Sequence, residues 1–272
     1  MIETFTYQDA FPRSVLNRYV FMETGSASKI AQAVRPDEFA DIVDVLSKFS
    51  LSSRLLLTKG GSRGPIPRII DGAFERRGWT EARVDTYKRA FLFPGQHAST
   101  VAGDPLGSYA NEHLVSEIYQ QGYSVDNVKG RTALDVEWNP KDGNLDRDFS
   151  AYRAWHEEGL IDLAVLLTRI HEDTRDITDS SWLKFIEDHP EHAQREQTVN
   201  YRTTTTANFE KARERVLRGD LGTCPILVVG IGRKTWDGES WDGKSVKYDR
   251  QSGRLMISPT FGSGESFPYP DL

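Results

Sequence analysis

Three carboxylates, Asp126, Asp135 and Glu137, crowd into the segment Asp126-Asn127-Val128-Lys129-Gly130-Arg131-Thr132-Ala133-Leu134-Asp135-Val136-Glu137-Trp138-Asn139. From Arg131 to Trp138 the residue types alternate. Thr132, Leu134, Val136 and Trp138 fall on one face of a strand, and Ala133, Asp135 and Glu137 on the other. Lys129-Gly130 is a turn signal ahead of that strand, so the chain can fold Asp126 back beside Asp135. Carboxylates held this close repel one another unless a positive charge lies between them. A hard divalent cation, Mg²⁺ in the first instance, suits such oxygen ligands, and metal-assisted hydrolysis is the chemistry it would support. By pattern alone the same strand also describes the solvated face of an ordinary mixed sheet.

The elements that must position these acids follow from hydrophobic periodicity. The spacing predicts helices over residues 37–49 and 65–79. It predicts a further helix over 111–121, with Leu114, Val115 and Ile118 on its apolar side and Glu117 at the edge, able to face the acids. After the acidic strand, residues 139–144 read as a turn-rich loop, 148–158 as a helix, and 160–167 as a buried strand. A helix over 181–188, a polar segment over 200–206 and a helix over 209–218 come next. Thr206 or Asn208 is placed to cap that last helix, and Gly222 marks its exit. Residues 225–231 form a continuous apolar run, as in a strand covered on both faces. Beyond Gly232 the chain is polar and Gly/Ser-rich, with a strand expected over 255–257. The fold class read from this order is α/β, a mixed β-sheet flanked by helices. A single domain is expected, with 1–110 mainly helical, 111–232 the α/β core and 233–272 a C-terminal extension.

Composition narrows the function classes. With 272 residues, 38% hydrophobic and 27% charged, the chain is long enough for one large core. It has no run of about eighteen apolar residues and no basic-then-apolar leader pattern, so no membrane partner and a cytoplasmic location are expected. Cys224 is the one cysteine, in an apolar run, which excludes an internal disulfide and a cysteine-rich zinc site. The histidines are scattered, and only His189 and His192 lie close together, flanking Pro190-Glu191 without the spacing of a zinc helix. Neither a nucleophile elbow nor a dinucleotide-binding turn is present. Lys59-Gly60-Gly61-Ser62-Arg63-Gly64 lacks the spacing of a nucleotide-binding loop and reads as a connector. The net charge of −6 argues against a surface coated in nucleic acid, yet Arg76-Arg77 and Lys211, Arg213, Arg215 and Arg218 leave room for a local basic cleft.

The segment from Asp126 to Trp138 resembles the active-site segment of type II restriction endonucleases of the BglII kind, a branch of the PD-(D/E)xK nuclease superfamily. There a first acid precedes a strand bearing acid, apolar residue, then Glu, Gln or Lys. Two further stretches are similar. One is residues 60–86, with Ile66-Pro67-Arg68 and Phe74-Glu75-Arg76-Arg77-Gly78-Trp79 before Asp85-Thr86. The other runs from Thr203 through Phe209-Glu210-Lys211, Arg215 and Gly219-Asp220 to Cys224-Pro225-Ile226-Leu227-Val228-Val229-Gly230-Ile231. Together they span roughly residues 60–232. Glu137 stands where many superfamily members carry Lys, which leaves the general base unassigned between Glu137 and the metal.

The resemblance implies a restriction-endonuclease-like core acting on double-stranded DNA, with Asp126, Asp135 and Glu137 catalytic. Mg²⁺ would sit at Asp126 and Asp135, with the backbone carbonyl of Val136 completing its coordination. It implies a homodimer reading a short palindrome, one protomer cutting each strand. Base and phosphate contacts are expected from Asn139, Lys141, Asp142 and Asn144, and from Arg202, Thr203, Thr204 and Thr205. Two other readings of the acids stay open: a different metal-dependent hydrolase, acting on nucleotides or sugars, and a non-catalytic DNA-binding or interaction module.

Overall fold

The structure is a computed structural model and describes residues 2–60, 64–92, 114–197, 199–203 and 205–272. The chain opens with β1 (Glu3–Thr4), α1 (Tyr7–Ala10), α2 (Arg13–Leu16) and β2 (Val20–Thr24). Helices α3 (Ala27–Val34), α4 (Pro36–Lys48), α5 (Ser53–Leu56) and α6 (Pro65–Glu75) follow, then β3 (Thr80–Arg83), β4 (Thr86–Phe91) and β5 (Leu114–Gln120). The acidic segment forms β6 (Ser124–Lys129) and β7 (Thr132–Glu137), after which come α7 (Gly143–Glu157), β8 (Leu163–Arg169) and α8 (His171–Asp188). The last elements are α9 (Phe209–Arg218), β9 (Ile226–Ile231), β10 (Lys244–Asp249), β11 (Arg254–Pro259) and β12 (Phe267–Pro268).

Among the described residues, seven strands form one mixed sheet in the order β1-β2-β9-β8-β7-β6-β3. Its centre is parallel, with Asp135 beside Leu166 and Leu166 beside Val228, and antiparallel strands flank it. Every residue of β7, β8 and β9 is buried, because helices cover both faces; this is why 226–231 reads as unbroken hydrophobics rather than as an alternation. One face packs Leu134, Val136, Val165, Leu167, Leu227 and Val229 into a core shared with Ile42, Val45, Ile66, Ile70 and Phe74 of α4 and α6. On the other face α9 lies so close that a Cβ at Gly230 would stand 2.9 Å from the Phe209 ring, so glycine is required there by packing. The described residues contain no helix long and apolar enough to cross a membrane.

The mixed α/β sheet flanked by helices agrees with the sequence reading, and the differences lie at element level. Residues 114–120 are a strand, not part of a helix. Ile118 and Tyr119 pair across β4, with Lys88 beside Ile118, Tyr87 beside Tyr119 and Arg89 beside Glu117, a non-local partner that helical spacing cannot reveal. The rest of the expected helix, residues 111–113, lies outside the described residues. Helix α7 begins at Gly143, so Asn144 sits in its first turn rather than in a loop. Helix α8 begins ten residues earlier than expected, at His171 rather than 181, and α9 ends in Gly219, whose φ of 95° supplies the left-handed cap expected of Gly222. Strands β1, β2 and β3 have no counterpart in the sequence reading.

The chain divides into two compact units, residues 1–82 with 125–272, and residues 83–124. Among its described residues the smaller unit holds the antiparallel pair β4–β5. Asp85 closes its base, accepting from the Tyr119 hydroxyl at 2.6 Å and the Gly122 N–H at 3.1 Å.

Candidate active site

Gly130, with φ of 53°, makes the tight turn between β6 and β7 that the sequence signals. The strands then pair with Lys129 opposite Thr132, Val128 opposite Ala133 and Asn127 opposite Leu134. Asp126 lies one residue beyond the last of these pairs, and Asp135 one residue beyond its partner. The Asp126 N–H donates to Asp135 Oδ1 at 2.7 Å, so the two acids expected together from sequence are held together. Residues opposite one another in an antiparallel pair share a sheet face. Asp135 and Glu137 share theirs, while Leu134, Val136 and Trp138 enter the apolar core.

Helix α7 packs on the acidic face and adds two groups missed in the sequence reading. Tyr152 donates its hydroxyl to Asp135 Oδ2 at 2.5 Å, and Asp148, one turn earlier, is hydrogen-bonded to Glu137. Asp135, Glu137 and Asp148 are 3%, 8% and 3% exposed, so water screens their charges little. Burial drives the Asp135 carboxyl well above the usual carboxylate range, and the charges of Asp148 and Asp126 push it further. Glu137 is raised by burial and then by Asp148, and Asp148 is raised by burial. Burial and the charge of Asp148 both favour the neutral form of Glu137, and Asp148 Oδ2 is left buried without a hydrogen-bond partner among the described residues.

Helix α6 supplies the other missed pair, Asp71 and Glu75, which lie four apart on one helix face. Asp71 accepts from Asn127 Nδ2 at 2.9 Å, and its carboxyl is pushed up to about 7 by burial, with the charges of Asp126 and Glu75 adding to the effect. Asp71, Glu75, Asp126, Val136 and Glu137 line a cleft of about 980 Å³, together with Asn144 and Arg147 of α7. Asp135 does not reach the cleft surface and lies buried in the strand.

The donor set fits a hard divalent cation in kind. It is all oxygen, several of the acids are buried without a counter-charge that would ionise them, and the orphaned Asp148 Oδ2 faces no donor. Among the described residues no three acids or histidines already converge into a metal cage, so ligation would require these side chains to re-aim.

The expected DNA-contact residues lie on two loops that are zipped together. The Asp142 N–H donates to the Thr205 carbonyl at 3.0 Å, the Ala207 N–H to the Pro140 carbonyl at 2.9 Å, and Lys141 bridges to Thr206. Lys141, Arg202, Thr203 and Thr205 are exposed and Asn139 and Asn144 half-buried; Thr204 lies outside the described residues. Two of the set are engaged within the protein. Asp142 pairs with Lys211 at 2.7 Å, which lowers its carboxyl pKa, and Arg202 pairs with Asp179 at 3.3 Å. The basic row on α9 is likewise committed, Lys211 to Asp142, Arg213 to Glu3, Arg215 to Asp146 and Arg218 to Asp220, so it is no free electrostatic footprint. Asn208 caps α9, accepting from the Lys211 N–H at 2.9 Å. Glu117 is paired with Arg89 in the β4–β5 pair. The Cys224 thiol is buried and pushed up to about 12, as an inert thiol should be.

Fold and cleft together define an α/β protein with buried acids beside a central parallel sheet. A family model described as restriction endonuclease BglII/BglIII matches residues 19–231, and the chain belongs to that family. It is therefore a type II site-specific deoxyribonuclease, a DNA-binding hydrolase of phosphodiester bonds, from a family that generally uses divalent metal ions. Comparison with curated proteins finds no match.

Proposed function

We propose that the chain hydrolyses both strands of a short palindromic DNA site as a homodimer, with Mg²⁺ as its cation and the acid cleft of β6 and β7 as its centre. The observation that carries this reading is the Asp126–Asp135 pair, joined by a 2.7 Å hydrogen bond and electrostatically coupled to Glu137 and Asp148. Asp126, Asp135 and the Val136 carbonyl would hold the ion. When bound, it supplies charge to offset the developing negative phosphate oxygens and to acidify the attacking water.

The chain's own residues do the rest. Tyr152 and the Asp126 N–H hold the two oxygens of Asp135, so one of these bonds would open as Asp135 turns to the ion. Glu137 in its ionised form would take a proton from water, and Asp148, hydrogen-bonded to it, would receive that proton. Asn139, Lys141 and Asn144 beside the catalytic strand, with Thr203 and Thr205 on the zipped loop and Thr204 between them in sequence, would offer donors and acceptors to the duplex. Asp142 and Arg202 would join them only by exchanging Lys211 and Asp179 for DNA groups.

Plasmid DNA incubated with the purified chain, with Mg²⁺ and with chelator, tests the reading. Discrete fragments that need Mg²⁺ are expected. Hydrolysis of nucleotides or glycosides alone, or binding to DNA without cleavage in Mg²⁺, would replace it with one of the two other readings of the acids.

A further inference from the structure

Residues beyond 231 fall outside the family match, yet they build one wall of the acid-lined cleft. Tyr248, Arg254 and Leu255 of β10, β11 and their connecting turn line it together with Asp126 and Glu137. The hairpin is firmly attached. Its strands pair from Lys244 with Pro259 to Asp249 with Arg254. Val246 is buried, and its N–H donates to Thr58 Oγ1 at 2.7 Å. Arg68 of α6 lies 4.3 Å from the Tyr248 ring centroid, a cation–π contact that ties this wall to the helix carrying Asp71 and Glu75.

A phosphodiester entering a cleft lined by Asp71, Glu75, Asp126 and Glu137 meets like charge, so cations on the walls must offset it. Four arginines line the cleft. Arg68 is stacked on Tyr248, Arg76 donates to the Leu272 carbonyl at 3.5 Å, and Arg147 pairs with Asp148 at 3.7 Å. Arg254 is exposed, and among the described residues its guanidinium has no hydrogen bond, ion pair or ring contact. Its planar fork of donors matches two oxygens of one phosphate.

We propose that the β10–β12 sheet is a substrate-clamping wall and that Arg254 binds a backbone phosphate of duplex DNA held in the cleft. This rests on the endonuclease reading of the cleft given above. Arg254 acts as a binding and positioning residue. It adds affinity without reading sequence, because a phosphate carries no base identity.

The test is binding of a linear plasmid fragment, with Ca²⁺ in place of Mg²⁺, measured across a salt series for the wild-type chain, Arg254→Ala, Arg254→Lys and Arg250→Ala. Arg250 is exposed on the same hairpin but does not line the cleft. Arg254→Ala is expected to weaken binding several-fold and to flatten the log–log salt slope by about 0.9, the loss of one phosphate contact. Arg254→Lys should keep the slope, and Arg250→Ala should match wild type. An Arg254→Ala protein with wild-type affinity and slope overturns the clamp, as does an equal loss from Arg250→Ala. A wild type that cuts in Mg²⁺ while Arg254→Ala binds identically overturns the clamp alone. A wild type that binds with the Arg254-dependent slope yet never cuts in Mg²⁺ supports the clamp and removes the endonuclease reading.

Discussion

Asp135 is the most constrained of the acids, because both its oxygens are spoken for: one by the Asp126 N–H and one by Tyr152. A carboxylate so fixed and so buried is costly unless a cation or proton compensates it, which is why its pKa rises. Asp135→Asn keeps the shape and one of the two acceptor oxygens, sets an amide NH2 against the other donor, and removes the charge. Cleavage should fall by at least about 10³-fold, the scale of losing a principal electrostatic group, while DNA binding in Ca²⁺ stays within a few-fold of wild type. Parallel plasmid-cleavage and gel-shift assays check both halves. Undiminished cutting by the variant would take Asp135 out of the site. The sequence made this residue visible because strand alternation alone puts it beside Glu137. Asp71 and Asp148 were invisible for a physical reason: each lies on a helix, and only the packing of α6 and α7 against the sheet brings it to the strand. Their spacing to Glu75 and Tyr152, four residues along a helix, was the signal available.

At the scale of elements, the parallel strands and α9 were legible because each is internally consistent. Strand β9 is apolar throughout, and α9 runs from an Asn cap to a glycine exit. Strand β5 was not legible, since its partner β4 comes from more than twenty residues away and Leu114, Val115 and Ile118 fit helical spacing equally well. The start of α7 was misplaced because the Asn-Pro-Lys-Asp-Gly-Asn run carries turn chemistry, while Asp142 and Gly143 enter the helix without a side-chain cap. The α9 cap has a direct consequence. Asn208→Ala leaves the Lys211 N–H unmet and should lower stability by about 1 kcal/mol. It should also loosen the 201–207 loop that zips to residues 140–142, because Ala207 and Thr205 are hydrogen-bonded there. Urea unfolding measures the first effect. An unchanged midpoint would show that the cap contributes nothing.

For the molecule as a whole, the uncompensated acids make stability depend on pH. In the unfolded chain Asp71 ionises near its ordinary value of 3.8, whereas in the fold its carboxyl holds its proton to about 7. Folding therefore takes up a proton between those values, and stability is lost as pH rises through that window, levelling off above it. Asp71 keeps some solvent contact, so its share is about 1–2 kcal/mol. In the presence of chelator, Asp71→Asn should match wild type near pH 4 and exceed it by that amount at pH 8, with the Asn127 bond retained through Oδ1. Denaturant unfolding at the two pH values decides; a variant less stable than wild type at pH 8 would mean that Asp71 is compensated by a group other than a bound cation or proton.

The account stands on an acid cleft that cuts DNA at a defined sequence, and sequencing the termini left on plasmid DNA by the wild-type chain and by Asp135→Asn addresses it most directly. The wild type should leave every terminus at one short, two-fold symmetric sequence, only with Mg²⁺ present, and the variant should leave none. Termini scattered without sequence preference, or the same termini from Asp135→Asn, would contradict it.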